Sequence, residues 1–309
     1  MQLSLFDLHC DTAYEMLRQK QPLFANKLAV SLENAACFER YVQIMALWTD
    51  FRLGNADGWE QLLCMLKNLQ NDPALQSGAA MLVNRFPARL SYTPVLMLAV
   101  EDARILDGQL DRVDRLWELG VRILTPLWKG LSCIGGAHDT DVGLTEFGRK
   151  ALTRAVELGM ILDISHASEP ASEEIFAICE PFGRPVIASH SNAYAICPAS
   201  RNLRDWQIQQ VVKTKGVIGL NLYGHFLKLD GNASLADIFP HVAHFLNLRA
   251  DGALCLGCDM DGCDLPPDIP NLAALPRLRD AMKQRGYPDA LIQKIFFENA
   301  QGFAKRFLY

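Results

Sequence analysis

LSLFDLHCDT, residues 3–12, runs from a short apolar stretch into His9 and Asp11, two positions apart. On an extended strand, residues i and i+2 share a side, so an imidazole and a carboxylate project together from the end of this first strand. That pairing suits a metal ion. The same stretch decides the architecture. A doubly wound open sheet of the dinucleotide-binding kind needs a glycine-rich phosphate turn directly after its first strand, and DLHCDT contains no glycine.

Seven more β-rich runs follow Leu3–Leu8: Val42–Trp48, Pro94–Val100, Val121–Leu127, Met160–Ile164, Pro185–Ala188, Val217–Leu222 and Ala253–Leu256. They are near-continuous apolar stretches, the pattern of parallel strands covered by helices on their outer face. Between them lie helical segments. Thr145–Leu158 stops before Gly159, and Ser168 caps the next helix with Pro170 in its first turn. Asp205–Lys215, Leu235–Leu248 and Asp289–Leu308 follow, the last with a break expected near Gly302. Eight strand–helix repeats predict an α/β fold: one distorted (β/α)8 TIM-type barrel over residues 1–309, with its chemistry at the C-terminal ends of the strands.

Composition narrows the function. The chain has 309 residues, half of them hydrophobic, and a formal net charge of −5 with no Lys/Arg block, so nothing in it offers a footprint for nucleic acid. No apolar run approaches the roughly 18–20 residues that cross a bilayer. The opening residues lack a basic leading region and turn acidic at Asp7, unlike a signal peptide. Nine scattered cysteines, an odd number, suit reduced thiols in a cytoplasmic protein.

Five of the eight strand ends carry candidate polar groups. The first run leads to His9 and Asp11, the third to Glu101 (LMLAVEDA), the fifth to His166 (ILDISHAS), the sixth to His190 (VIASHSNA) and the eighth to Asp259 (LCLGCDMDG). Three of the seven histidines thus converge on one barrel mouth with three carboxylates. Such a nitrogen and oxygen set suits Zn²⁺ or a similar divalent ion. There is one carboxylate more than a single tetrahedral ion requires, which suggests two ions bridged by Glu101 with a hydroxide between them.

These residues and their neighbours resemble the renal (membrane) dipeptidase family of metal-dependent amidohydrolases along nearly the whole chain, in DLHCDT, AVEDA, GLTEFG leading to LGMILDISHAS, PVIASHSNAYAICPASRN and GCDMDG. The resemblance implies a dipeptidase with two Zn²⁺ ions that hydrolyses L,L and L,D dipeptides with free termini. It implies one ion on His9 and Asp11, the other on His166 and His190, and Glu101 between them. Asp259 would transfer the proton and Arg201, in SRN, would bind the substrate carboxylate, a role that suits its planar fork. Tyr14 and Tyr223 fall where the family has aromatic contacts to substrate, and both also suit packing at the rim. A small dipeptide is then the partner, with a homodimer as one open assembly.

One position departs from the family, whose best-known members carry a histidine after the fourth strand that reaches the peptide carbonyl. Here RILTPLWKGLSCIGG puts Pro126 or Trp128 there, with Trp128 favoured for its indole N–H, and His138 lies well downstream. Asp261 competes with Asp259 for the proton; the turn at Gly262 favours Asp259 at the mouth and Asp261 in ordering the next loop. Cys255-x-x-Cys258 lacks a second pair, His241 and His244 read as a partly exposed helix face, and Asp163 reads as a structural hydrogen-bonding group. Two other activities fit the barrel: a binuclear amide or lactone hydrolase, and a non-catalytic or biosynthetic protein that kept the fold.

Overall fold

A computed structural model describes residues 3–309; Met1 and Gln2, part of the opening read as no signal peptide, lie outside the described residues. Eight parallel strands form the barrel: β1 (Leu5–Cys10), β2 (Tyr41–Trp48), β3 (Val95–Glu101), β4 (Val121–Thr125), β5 (Ile161–Asp163), β6 (Val186–Ile187), β7 (Ile218–Leu220) and β8 (Leu254–Leu256). Their order is β6-β5-β4-β3-β2-β1-β8-β7, and a single bridge between Ala188 and Ile218 joins the two ends. Gly219 makes that seam possible, because a Cβ there would collide with the carbonyl oxygen of Ser189. The barrel is uneven. β2 and β3 pair over seven successive residues, Val42↔Val95 through Trp48↔Glu101, whereas β5 and β6 share two pairs. A further short strand, Met81–Leu82, pairs with the start of β3 and had no sequence signal.

Alternation sets the two faces. Val42 and Ile44, Val95, Met97 and Ala99, Ile123, Ile161, Ile187 and Cys255 pack together with Phe6 and Leu8 inside the barrel. Met45, Leu47, Leu96, Leu98, Val100 and Leu162 turn outward under the helices. Carried to the strand ends, the inward parity of β3 reaches Glu101 and that of β5 reaches Asp163. β1 breaks the pattern. Asp7 pairs with Gln43 and Cys10 with Met45, so three steps of β1 oppose two of β2. This bulge puts Cys10 outside with Leu5 and turns His9 toward the mouth.

The helices match most expectations and correct three. Ser168 caps Glu169–Cys179 through the Ala171 N–H, and Gly159, at φ 101°, stops Glu146–Leu158. Leu235–Leu248 is instead a 3₁₀ turn, Leu235–Asp237, followed by the helix Ile238–Asn247. The last helix is not broken near Gly302: Asp289–Gln293 runs through a π-helical turn, Lys294–Glu298, into Asn299–Phe307. Phe297, Ala300 and Phe303 from this segment pack with Phe6 and Phe86 and plug the floor of the barrel. The third correction is His241, which is fully buried; its Nδ1 accepts from the Ala193 N–H at 3.1 Å and its Nε2 donates to the Leu227 carbonyl at 3.1 Å. Among the described residues, no helix is long and apolar enough to cross a membrane.

Candidate metal centre

Five strand ends meet at the mouth. Glu101 stands in the middle, buried, with its two carboxylate oxygens turned to different neighbours. Oε2 lies 3.5 Å from His9 Nε2, which also lies 3.4 Å from Asp11 Oδ2 and 3.8 Å from Asp259 Oδ1. Oε1 lies 2.8 Å from His166 Nε2 and 3.3 Å from His190 Nε2. The rings of His9 and His190 stack at 3.7 Å. The clusters His9–Glu101–His190 and His9–Asp11–Asp259 each bring three potential ligand atoms within 4.8 Å of one another.

The electrostatics of this cluster call for a cation. His166 Nδ1 lies 3.0 Å from the Trp128 carbonyl, which only accepts, so Nδ1 carries the proton and Nε2 a lone pair. His190 Nδ1 lies 2.7 Å from Ser189 Oγ, whose own hydroxyl donates to Asp163, so the neutral ring again carries its proton on Nδ1. The two bare Nε2 atoms then face each other at 3.0 Å and share one carboxylate oxygen. His9 Nε2 and Asp11 Oδ1 are also buried with no hydrogen-bond partner. Burial would raise the Glu101 pKa, but the charge of His9 beside it holds it well below its usual value. Asp11 is pushed up to about 7 by burial and by the Glu101 charge. This donor set fits divalent ions: lone pairs and carboxylate oxygens converge where protons do not suffice.

Beneath the cluster, Asp163 accepts from Thr125 Oγ1 at 2.7 Å, from Ser165 Oγ at 2.6 Å and from Ser189, and through Ser189 it orients His190. Gly262 passes under the carboxylates; a Cβ there would collide with Asp11 Oδ2 and stand 2.7 Å from Asp259 Oδ1. The two aspartates of CDMDG both adopt left-handed backbone conformations, φ 60° and 66°. Their side chains part. Asp259 meets His9 and accepts from Asn221 Nδ2, whereas Asp261 accepts from Thr12 Oγ1 at 2.6 Å and from the Ala29 and Val30 N–H groups.

Arg201 is buried beside His190. Its Nη1 donates to Ser191 Oγ and its Nη2 to the His190 carbonyl, both at 2.9 Å, while Nε has no partner. Burial pushes its pKa down to about 10, so it stays charged at neutral pH. Trp128 is half-buried and packs against Trp48, Phe51 and His166. Tyr14 packs edge-on to Trp48, and Tyr223 to Phe226 and His225. His138, well downstream in the sequence, returns to the cluster in the fold. Its N–H donates to the His166 carbonyl at 2.8 Å, its ring lies 5.9 Å from that of His166, and Nδ1 lies 2.9 Å from Ser200 Oγ, beside Arg201. Sequence reading also missed Asn221 and Ser189. Ser189 stands next to His190 in ASHSN, a usable signal; Asn221 had none.

Cys255 lies buried in β8 within the same apolar interior, and burial pushes its thiol pKa up, which leaves no reactive thiolate there.

The chain is similar to known proteins in family and in fold. The family model described as membrane dipeptidase (peptidase family M19) matches residues 1–305. The uncharacterized protein in the pqqA 5′ region of Klebsiella pneumoniae is 31% identical over 212 residues, covering 65% of this chain and 77% of that one. Among solved structures, a metallo peptidase from Rhodobacter sphaeroides, liganded with a phosphinate mimic of the dipeptide L-Ala-D-Ala, superposes with a TM-score of 0.91 at 23% identity. That match covers 99% of this chain and all of the other. The probable dipeptidase PvdM from Pseudomonas aeruginosa gives a TM-score of 0.81 at 17% identity over 96% of this chain and 97% of that one.

Proposed function

Because this chain belongs to the membrane dipeptidase family, and so is a metallopeptidase acting on peptide bonds, we propose that it is a two-zinc dipeptidase for substrates with free termini. The divided carboxylate of Glu101 carries this reading. One oxygen faces His9, with Asp11 and Asp259 beside it, and the other faces His166 and His190. His9 and Asp11 would hold one ion, His166 and His190 the other, and Glu101 both. When bound, such a pair supplies a nucleophile at neutral pH by lowering the pKa of water, and it polarises the carbonyl under attack.

The protein's own residues do the rest. Asp259, fixed on Oδ2 by Asn221, turns Oδ1 toward the cluster and is the group that takes a proton and returns it to the leaving amine. Arg201 keeps Nε and the remaining Nη hydrogens for the substrate carboxylate, which a planar fork can hold in two places. His138, kept neutral because burial and the neighbouring His166 and Arg201 push it down to about 3, is an uncharged donor for the peptide carbonyl, the part expected of Trp128. Among the described residues none of the nine cysteines is in a disulfide, which supports a reducing cytoplasmic setting.

The test is metal analysis combined with a panel of L,L and L,D dipeptides. The L,D members belong there because the Rhodobacter protein of the same fold was liganded with a mimic of L-Ala-D-Ala. We expect close to two divalent ions per chain, loss of turnover on chelation and its return with Zn²⁺. His166→Ala should lose one ion before the other. A metal-free preparation with full activity would overturn the proposal.

A further inference from the structure

On the reading of the site as a dipeptidase, the residue on the amino side of the scissile bond has a surface of its own. Trp48 ends β2 and pairs in register with Glu101, at the centre of the cluster. Around it stands a wall of rings. Tyr14 meets Trp48 edge-on at 4.8 Å, Trp48 meets Trp128 at 5.2 Å, and Phe51 meets Trp128 at 5.2 Å. Trp128 continues the wall to His166 at 6.2 Å. The Arg104 guanidinium lies 5.8 Å from the Phe51 ring and is tied to Asp102, the neighbour of Glu101, so the wall is anchored to the strand that carries the central carboxylate.

This wall is not core. Phe51 is 39% exposed, and Tyr14, Trp48 and Trp128 are half-buried, so each keeps some accessible surface. Contiguous open aromatic surface beside a polar site is characteristic of ligand contact. Its position gives it a direction. Arg201 lies on the loop after β6, and in a barrel of eight strands β6 is opposite β2. A dipeptide whose carboxylate rests on Arg201 and whose carbonyl rests at the cluster must extend its amino-terminal residue toward β2. That side chain then lies on Trp48, Phe51 and Trp128.

We propose that this aromatic wall selects dipeptides whose amino-terminal residue is aromatic or large and apolar. The side chain's apolar area and its ring-to-ring contacts supply the discrimination over alanine.

Two measurements on the metal-loaded enzyme test this, using the parent protein and Phe51→Ala, a change in a partly exposed loop. The first is kcat/KM for Phe-Ala against Ala-Ala. We expect a preference of about tenfold or more in the parent, falling most of the way to unity in Phe51→Ala. The second is quenching of tryptophan fluorescence by phosphinate mimics of the same two dipeptides, which reads binding without turnover. The Phe-Ala mimic should bind tighter in the parent, and Phe51→Ala should remove most of that margin. A parent with no preference, or a margin that survives the substitution, overturns the proposal. If no dipeptide is turned over, the dipeptidase reading fails on its own, and the fluorescence margin alone then decides the wall: present and lost in Phe51→Ala supports it, absent overturns it.

Discussion

Asn221 donates from Nδ2 to Asp259 Oδ2 over 2.9 Å and so fixes the carboxylate whose other oxygen faces His9. Two residues on, Asp261 spends its carboxylate on Thr12 and on the Ala29 and Val30 N–H groups. The pair therefore separates chemistry from architecture. Asp259→Asn should lower kcat by about 10²–10⁴, the usual range for losing a general acid–base group, with metal content close to normal. Asp261→Asn should instead lower thermal stability by about 1 kcal/mol, as one charged acceptor is lost, and change the rate far less. Steady-state kinetics and metal analysis on both variants check this, and the reverse pattern would exchange their roles.

On the proposed reading Arg201 and His138 would meet different groups of the substrate, and amide substrates distinguish them. Arg201→Ala should raise KM for free dipeptides by roughly 10- to 100-fold, as expected for a charge-assisted pair of about 1.5–3 kcal/mol. Dipeptide amides, which lack the carboxylate, should be poor substrates for the parent and little changed by the substitution. His138→Ala should reduce kcat/KM for acids and amides alike, because both present the same peptide carbonyl. Equal turnover of acids and amides by the parent would refute the carboxylate role of Arg201.

Gly262 owes its identity to the space it leaves. In Gly262→Ala the new methyl group has to displace the Asp11 and Asp259 carboxylates. The expected result is a folded protein with reduced occupancy at the His9–Asp11 position and the His166–His190 position still filled. Equilibrium dialysis against limiting Zn²⁺ measures it; unchanged affinity for both ions would show that the loop yields instead.

His241 gives a pH signature to stability. Burial lowers its pKa below the ordinary 6.5, with His244 adding to the fall and Asp237 opposing it. A folded-state pKa below the unfolded one means that the unfolded chain binds the proton more readily. The contribution of His241 is therefore complete above about pH 6.5 and is lost as pH falls from there toward the folded-state value. His241→Leu strands the Ala193 N–H and the Leu227 carbonyl, and should cost about 2–4 kcal/mol near pH 7.5, with a shallower decline on the acid side. Urea unfolding between pH 5 and 8 provides both readings.

Much of this was legible in the sequence because barrel strands are local objects. Near-continuous apolar runs mark all eight, and the polar residues that follow five of them name what stands at the mouth. Alternation along β3 even gives the inward turn of Glu101. The bulge in β1 was not legible, since it arises from how Asp7 and Cys10 pair with a different strand. Nor was the return of His138, which depends on a loop folded back by pairings of Leu131 with Gly136, Gly135 with Leu144 and Ala137 with Ala167. His241 misled for the same reason: its helix face looks half-polar in isolation, and only the loops after β6 and β7 bury it. What the sequence hides are contacts between segments that local periodicity does not connect.

The two corners of the candidate metal centre are built from contacts of very different sequence separation. His166 and His190 rise from adjacent strands, β5 and β6, 24 residues apart, so that half needs only a short loop to close. The His9 corner is non-local. The Asp11 N–H donates to the Met260 carbonyl and the Asp259 N–H to the His9 carbonyl, so its geometry exists only after β8 has docked on β1. Chain closure is thus short for the histidine pair and long for the carboxylate corner, whose pairing of β8 with β1 has the greatest sequence separation in the barrel. An ion that needs both halves binds only the closed topology, and its binding energy adds to the stability of the closed barrel over every chain whose last strand is misregistered.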